Sequence, residues 1–189
     1  SNFNKSHELA NLYEKNKDTN EYKVSIDDVR QSGYSKTHWD QYIIGNHGGL
    51  FEPQGGLRTT AVELSKFLRA HMLNGSLNGQ QILEQKTSKF MTSIQWSREE
   101  NNHFFSKMGL GFHISHDFLP GYKEMIGHAG EAYGLISNLY WQEEKQFGMI
   151  FILNGSQFDL SENSRFKVEK ELAEVIYKHV IEERLLKQM

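Results

Sequence analysis

The clearest pattern in the sequence is a series of strand-like runs between residues 108 and 153, some of which alternate between apolar and polar residues. A period of two is typical of strands with one buried face. The pattern predicts four β-strands, at residues 108–115, 122–127, 135–142 and 146–153. Glu143-Glu144-Lys145 joins the last two strands closely enough for a hairpin. The last strand is almost continuously apolar, so we expect a cover on both of its faces.

A helical period first appears after Thr60. Thr60 and Glu63 form a capping-box pattern, and Asn74-Gly75 is a stop signal. One face of this predicted helix carries Leu64, Phe67, Leu68, His71 and Met72.

Two more helices are predicted. The first spans residues 84–93, with Phe90 and Met91 as core contacts, and the second spans 162–188, with Ser161 as its N-cap. The apolar stripe of this terminal helix comprises Phe166, Leu172, Ile176, Val180 and, after a one-residue drift, Leu185, with Ala173, Val175 and Ile181 at its edges.

The first 56 residues are polar and irregular. Short strands are predicted at 7–13 and 21–26, on either side of a turn at 16–20. Residues 27–54 carry aromatic side chains without a period. They predict a long loop that either covers a site or packs its aromatics on the core.

Together these elements predict an α+β fold in one domain that spans residues 1–189. We expect an antiparallel sheet with the long C-terminal helix packed on one face. The two shorter helices are expected on the other face or beside the sheet.

Composition narrows the possible functions. The net charge is -3, and no basic patch stands out, so nucleic acid is not an expected partner. No apolar run reaches the length of a membrane span. The chain has no cysteine, which excludes disulfides, thiolate metal sites and cysteine nucleophiles.

Nine histidines raise the question of a metal site. His113 and His116 are the closest pair, but on a strand they point to opposite faces. His113 and Asp117 would share a face, yet two ligands fall short of a usual zinc set. We therefore expect neither a metal nor another cofactor.

A convincing nucleophile is missing from the sequence. The one Ser-x-x-Lys, at residues 164–167, falls in the first turn of the predicted terminal helix, where serine commonly caps. Ser-x-Asn occurs at 76–78 and 161–163, in turn or cap settings, and Tyr-x-Asn does not occur. We interpret these matches as structural.

The stretch from Gly127 to Gly134 has the greatest chemical interest. It holds three glycines around His128, between two predicted strands. Glycines allow a sharp turn and a close approach of a ligand to the backbone, and a histidine titrates near neutral pH. The stretch is either a hairpin turn with an incidental histidine or part of a site.

Three stretches, taken in order, resemble the serine β-lactamase and penicillin-binding-protein-like family, in its class C-related branch. The first is Gly-Gly-Leu-Arg-Thr-Thr at 55–60, running into the helix to Phe67. The second is Ile-Leu-Glu-Gln-Lys-Thr at 82–87, running on to Met91, with Glu84 where serine is common. The third is Gly-His-Ala-Gly at 127–130, which is similar to the family's version of the Lys-Thr/Ser-Gly strand motif.

The resemblance implies roles for four residues. His128 stands where the family has Lys or His, facing the substrate carboxylate or the acyl-enzyme. Gly130 lets the strand edge approach the substrate, and the backbone N–H of Glu131 is one oxyanion-hole donor. Ala129 replaces the usual Thr, Ser or Gly, which removes a hydroxyl contact and leaves the substrate class open.

The resemblance also implies that the nucleophile serine, its lysine and the Tyr-x-Asn or Ser-x-Asn element lie upstream of the chain. The expected function is that of the C-terminal portion of a serine hydrolase that acts on amides or esters and is inactive by itself. The alternative is a non-catalytic binding module of the same fold. An open sheet edge would favour self-association, and the resemblance implies an extracytoplasmic location.

Overall fold

The structure is a computed structural model that describes residues 10–26, 57–99, 105–122, 124–144, 146–156, 159–161 and 165–187. These residues form antiparallel strands and three helices, so the predicted α+β fold is confirmed. The loop predicted at 27–54 and the beginning of the strand predicted at 7–13 lie outside the described residues. Among those that are described, no helix has the length and hydrophobicity needed to cross a membrane.

Eleven strands and three helices make up the described part of the chain. The strands are β1 (Leu12–Lys15), β2 (Tyr22–Ile26), β3 (Ser76–Leu77), β4 (Gln80–Gln81), β5 (Trp96–Ser97), β6 (Lys107–Met108), β7 (His113–Ser115), β8 (Met125–Ala132), β9 (Leu135–Gln142), β10 (Phe147–Leu153) and β11 (Gly155–Ser156). The helices are α1 (Ala61–Met72), α2 (Gln85–Thr92) and α3, which spans 167–186.

The main sheet is antiparallel and has the strand order β10-β9-β8-β7-β6-β5. A smaller sheet has β1 between β2 and β11, with β1 parallel to β11. The hairpin of β3 and β4 turns at Asn78 and Gly79, which have φ values of 51° and 78°. These left-handed values fit the Asn-Gly pair of a tight hairpin turn.

Two strands predicted in the main sheet have bounds that differ by more than one residue from those in the structure. The run at 108–115 is divided into β6 and β7 by a turn at Gly111, which has φ 75°. The strand predicted at 122–127 instead begins at Met125 and continues to Ala132 as β8. The turn between β8 and β9 is therefore only Tyr133 and Gly134, with φ values of 52° and 88°.

Helices cover both faces of the main sheet. The face under α3 buries Met125, Tyr140, Phe147, Met149 and Phe151, together with Ala173 of α3. The opposite face buries Ile126, Leu139 and Trp141 against Leu68 of α1 and Phe112. The second face of β10 is only partly covered, since Ile152 remains 37% exposed.

The predicted beginning of α1 is confirmed. The Thr60 hydroxyl oxygen accepts a hydrogen bond from the Glu63 backbone N–H at 3.1 Å. His71 is buried on this helix between Phe67, Phe112 and Trp141, and burial lowers its pKa. It is therefore a neutral core histidine at pH 7.

The second helix contacts the core differently from the prediction. Met91 packs against the core cluster under α1, as expected. Phe90 is 56% exposed, so its predicted core contact is wrong. Ser88 is the buried residue of α2, and an eight-residue helix at the rim of the sheet has room for few such contacts.

The terminal helix begins at Lys167 rather than at residue 162. The Glu169 carboxylate accepts a hydrogen bond from the Phe166 backbone N–H at 3.0 Å, which satisfies a donor at the helix start. The Ser161 hydroxyl donates to the Arg165 carbonyl oxygen at 2.7 Å and so belongs to the preceding turn. Ser161 is therefore not the N-cap.

A π-helical segment, Tyr177–Ile181, lies inside α3. Such a segment adds one residue to a turn, which accounts for the one-residue drift of the apolar stripe before Leu185. Tyr177, Ile181 and Leu185 pack against the core. Val180 is 47% exposed, so its predicted place in the stripe is wrong.

Candidate functional site

Strand β8 has one edge that is only partly used. It pairs with β9 from Ile126 to Ala132, but it pairs with β7 only from Met125 to Gly127. In the part of the chain that the structure describes, no strand pairs with the β7 side of residues 128–132. Among the described residues, the peptide N–H and C=O groups on this edge thus have no strand partner, and such groups can pair with an extended ligand.

The four residues singled out from the sequence lie along this edge. His128 and Glu131 are exposed, whereas Ala129 and Gly130 are half-buried. Ala129 packs towards the core under α3. Because side chains alternate along a strand, Glu131 points to the same side as Ala129, and Glu131 can offer the open edge its backbone rather than its carboxylate.

Gly127 makes room for a contact across three strands. It lies between His113 on β7 and Tyr140 on β9 in the pairing register. A Cβ atom on Gly127 would lie 2.6 Å from Cγ of Tyr140, which is far closer than van der Waals contact. The missing side chain lets the Tyr140 hydroxyl reach Nδ1 of His113 at 3.0 Å.

The rings of His113 and His128 stack on each other. Their centroids are 4.5 Å apart, and the ring planes differ by 25°. The ring of Phe105 contacts His113 edge-on, with a centroid distance of 4.5 Å. His113 is 7% exposed, so a buried imidazole supports the exposed imidazole of His128.

Burial and the neighbouring His128 lower the pKa of His113 to about 4. Removal from water disfavours the charged form, and a second positive charge beside the first is repelled. His113 is therefore neutral at pH 7. In the sequence, His113 is a candidate only as a metal ligand. Its contact with Tyr140 depends on the pairing register of the strands, which the sequence does not show.

The side chains weighed as metal ligands in the sequence, His116 and Asp117, have other contacts in the structure. Nε2 of His116 lies 2.6 Å from Nζ of Lys107, and the Asp117 carboxylate accepts a hydrogen bond from the Ser115 hydroxyl at 3.1 Å. Over the described ranges, no group of three or more His, Cys, Asp or Glu side chains is placed to hold a metal ion.

A buried polar cluster holds β9 on the terminal helix. Asn138, which pairs with Ala129 of β8, donates from Nδ2 to the Glu169 carboxylate at 2.6 Å. The Arg165 guanidinium donates to the carbonyl oxygens of Phe118 at 2.8 Å and Glu169 at 3.0 Å. The cluster fixes β8 and β9 from the side of the sheet that faces α3.

Charges in this cluster are costly to bury. Burial raises the pKa of Glu169, although hydrogen bonds from Asn138 and Phe166 act in the opposite direction. Burial also lowers the pKa of Arg165, which the nearby Glu169 charge partly offsets. The charges of Arg165 and Glu169 therefore depend on each other and on their hydrogen bonds to remain buried.

Comparison with known proteins identifies a family that the chain matches. The sequence model of a family described as Beta-lactamase matches residues 5–174. No curated protein matches the chain. The matched range includes α1, α2 and the whole main sheet, together with the edge formed by residues 128–132.

Proposed function

The chain belongs to the beta-lactamase family, and we propose that it forms one wall of an acyl-transfer cleft in a serine hydrolase that acts on amides or esters. The observation that carries this proposal is the edge of β8 from His128 to Ala132, which lacks a strand partner among the described residues. An exposed imidazole stands at the beginning of that edge. We also place the chain in the class C-related branch, because of its Gly-His-Ala-Gly sequence at 127–130.

Each residue of the edge has a role in this proposal. His128 faces the substrate carboxylate or the acyl-enzyme. Gly130 lets the substrate approach the strand, and its position is tight, since a Cβ there would lie 2.9 Å from Oγ of Ser137. The backbone N–H of Glu131 donates to the oxyanion that develops in the transition state.

Acyl transfer also needs an activated serine, which we propose is supplied from outside these 189 residues. The one Ser-x-x-Lys of the sequence ends at Lys167, the first residue of α3. Two residues later, Glu169 is buried under the sheet beside Asn138. Ser164 of that motif lies outside the described residues, so its structural role stays a prediction.

We expect the purified 189-residue chain to hydrolyse neither nitrocefin nor p-nitrophenyl acetate above the buffer rate. Without an activated nucleophile, an oxyanion site has no tetrahedral intermediate to stabilise. Absorbance assays at micromolar protein measure this directly. Turnover that disappears in His128→Ala, but persists in His116→Ala, would overturn the proposal that the nucleophile lies elsewhere.

A second candidate is a non-catalytic module that binds a ligand at the same edge. It is favoured by the observation that the open edge of β8 occurs in a sequence without a convincing nucleophile. The reading frame upstream of Ser1 distinguishes the two candidates. A Ser-x-x-Lys followed by Tyr-x-Asn supports the hydrolase, and a frame without them supports the binding module.

We further propose that the chain by itself associates with a second copy through β10. This strand is last in the sheet order, and its sequence, Phe-Gly-Met-Ile-Phe-Ile-Leu, has no charge or proline to discourage pairing. A groove of about 560 Å³ runs between β10 and α1, lined in part by Leu68, Met72 and Ile150. It has room for side chains of an added strand.

Light scattering tests this association. We expect dimers or larger species at high protein concentration, and a shift towards monomer in Ile152→Lys, since an edge lysine opposes strand pairing. Val180→Lys places the same charge on α3 and serves as the control, because Val180 is also partly exposed. A clean monomer of the unmodified chain at high concentration would contradict the proposal.

A further inference from the structure

His113 lies beside the proposed cleft, but no role follows for it from the family resemblance. It is on β7, at the point where the pairing between β7 and β8 ends. One ring face stacks on His128, Phe105 contacts the ring edge-on, and Nδ1 meets the Tyr140 hydroxyl. An imidazole held on three sides has a fixed orientation.

The orientation of His113 matters because His128 is exposed. An exposed side chain ordinarily exchanges between staggered rotamers on a picosecond to nanosecond timescale. The stacked ring of His113 offers His128 one preferred position, with centroids 4.5 Å apart. Tyr140 in turn is fully buried and stacks on Phe118 at a centroid distance of 4.1 Å, so the support extends into the core.

We propose that His113 is a positioning residue whose imidazole, held by the Tyr140 hydroxyl, fixes the ring of His128 towards the open edge of β8. A role of this arrangement in catalysis rests on the proposed function. The contacts among Tyr140, His113 and His128 do not depend on it. Gly127 is the third part of this arrangement. A Cβ atom at this position would clash with the ring of Tyr140, so a side chain there would separate Tyr140 from His113.

The protonation state of His113 supports the arrangement. Its lowered pKa keeps His113 neutral near pH 7, so it adds no charge beside the ring of His128. The hydrogen bond between Nδ1 and the Tyr140 hydroxyl favours the tautomer that matches the role of the hydroxyl as donor or acceptor. Two imidazolium rings stacked at this distance would repel each other.

NMR spectroscopy of the 189-residue chain tests the proposal. We expect the χ1 couplings of His128 to report one rotamer in the unmodified chain and an average of rotamers in His113→Ala. His113→Phe keeps a stacking ring and is expected to restore the single rotamer. Tyr140→Phe keeps the packing but removes the hydroxyl, and the imidazole ¹⁵N shifts of His113 are expected to move towards a tautomer mixture.

His116→Ala is the matched control, because His116 is a histidine near the same strand that does not contact His128 in the structure. It is expected to leave the His128 couplings unchanged. A His128 ring that is already averaged in the unmodified chain, or that keeps one rotamer in His113→Ala, would overturn the proposal. If His113→Ala fails to fold, Tyr140→Phe provides the test, because it nearly preserves the volume of the side chain. An unchanged His113 tautomer in that variant would overturn the proposal.

These measurements need no substrate turnover. An ordered His128 ring in the chain, together with a lack of hydrolase activity in the protein expressed from the whole reading frame, would therefore contradict the proposed function and leave the positioning role intact. An averaged ring in an active enzyme would contradict the positioning role alone.

Discussion

Replacing Glu169 with alanine is expected to lower the free energy of unfolding by about 3 kcal/mol, the cost typical of removing one partner from a buried charge pair. Glu169 is 3% exposed, and Arg165 is 1% exposed. The substitution removes the carboxylate that accepts hydrogen bonds from Asn138 and from the Phe166 backbone. It also leaves the Arg165 guanidinium buried without the charge that most favours it.

Urea denaturation followed by circular dichroism measures this loss. Glu171→Ala is the matched control, since Glu171 is an exposed glutamate on the same helix, and its removal is expected to change stability by less than about 0.5 kcal/mol. Glu169→Gln keeps the shape of the side chain and is expected to lose less than the alanine variant. Equal midpoints for Glu169→Ala and Glu171→Ala would show that the cluster does not hold α3 on the sheet.

Much of the fold was accessible from the sequence because half-buried elements leave a period in it. β9 has the predicted bounds, 135–142, and β10 differs by one residue. The beginning of α1 at Thr60 followed from side-chain chemistry that is local to one turn. These features depend on interactions between residues that are close in the sequence, and the sequence alone reveals such interactions.

The failures concern features that depend on distant residues. The alternation at 108–115 continues through the turn at Gly111, so the period alone could not divide it into two strands. The beginning of α3 at Lys167 depends on Glu169, which is buried by its contact with Asn138 on another strand. The drift before Leu185 was visible in the sequence, but its cause, the π segment Tyr177–Ile181, was not.

The candidate site was only partly predictable for the same reason. His128 and its glycines stand out as a local cluster, although the sequence predicts a joint between strands where the structure has mostly β8 itself. His113 and Tyr140 are 27 positions apart in the sequence. Only the registers of β7, β8 and β9 bring them together across Gly127. Tyr140 was therefore missed, and His113 was considered only as a metal ligand.

The second large effect is expected at His128, in the protein expressed from the whole reading frame that contains this chain. His128→Ala should lower kcat/KM by roughly ten- to a hundredfold, the fold-change that corresponds to the loss of one hydrogen bond to a charged group. The exposed ring lies at the beginning of the open edge, where a substrate bound along β8 would meet it. His128→Lys is expected to retain most of the activity, since the family uses either residue at this position.

The measurement that tests the central claim most directly is kcat/KM of this whole protein, with nitrocefin and p-nitrophenyl acetate, for the unmodified form and for His128→Ala, His128→Lys and His116→Ala. We predict a large loss in His128→Ala only. An unmodified whole protein without activity, or a His128→Ala variant that keeps the full kcat/KM, would contradict the proposal that β8 is a wall of an acyl-transfer cleft.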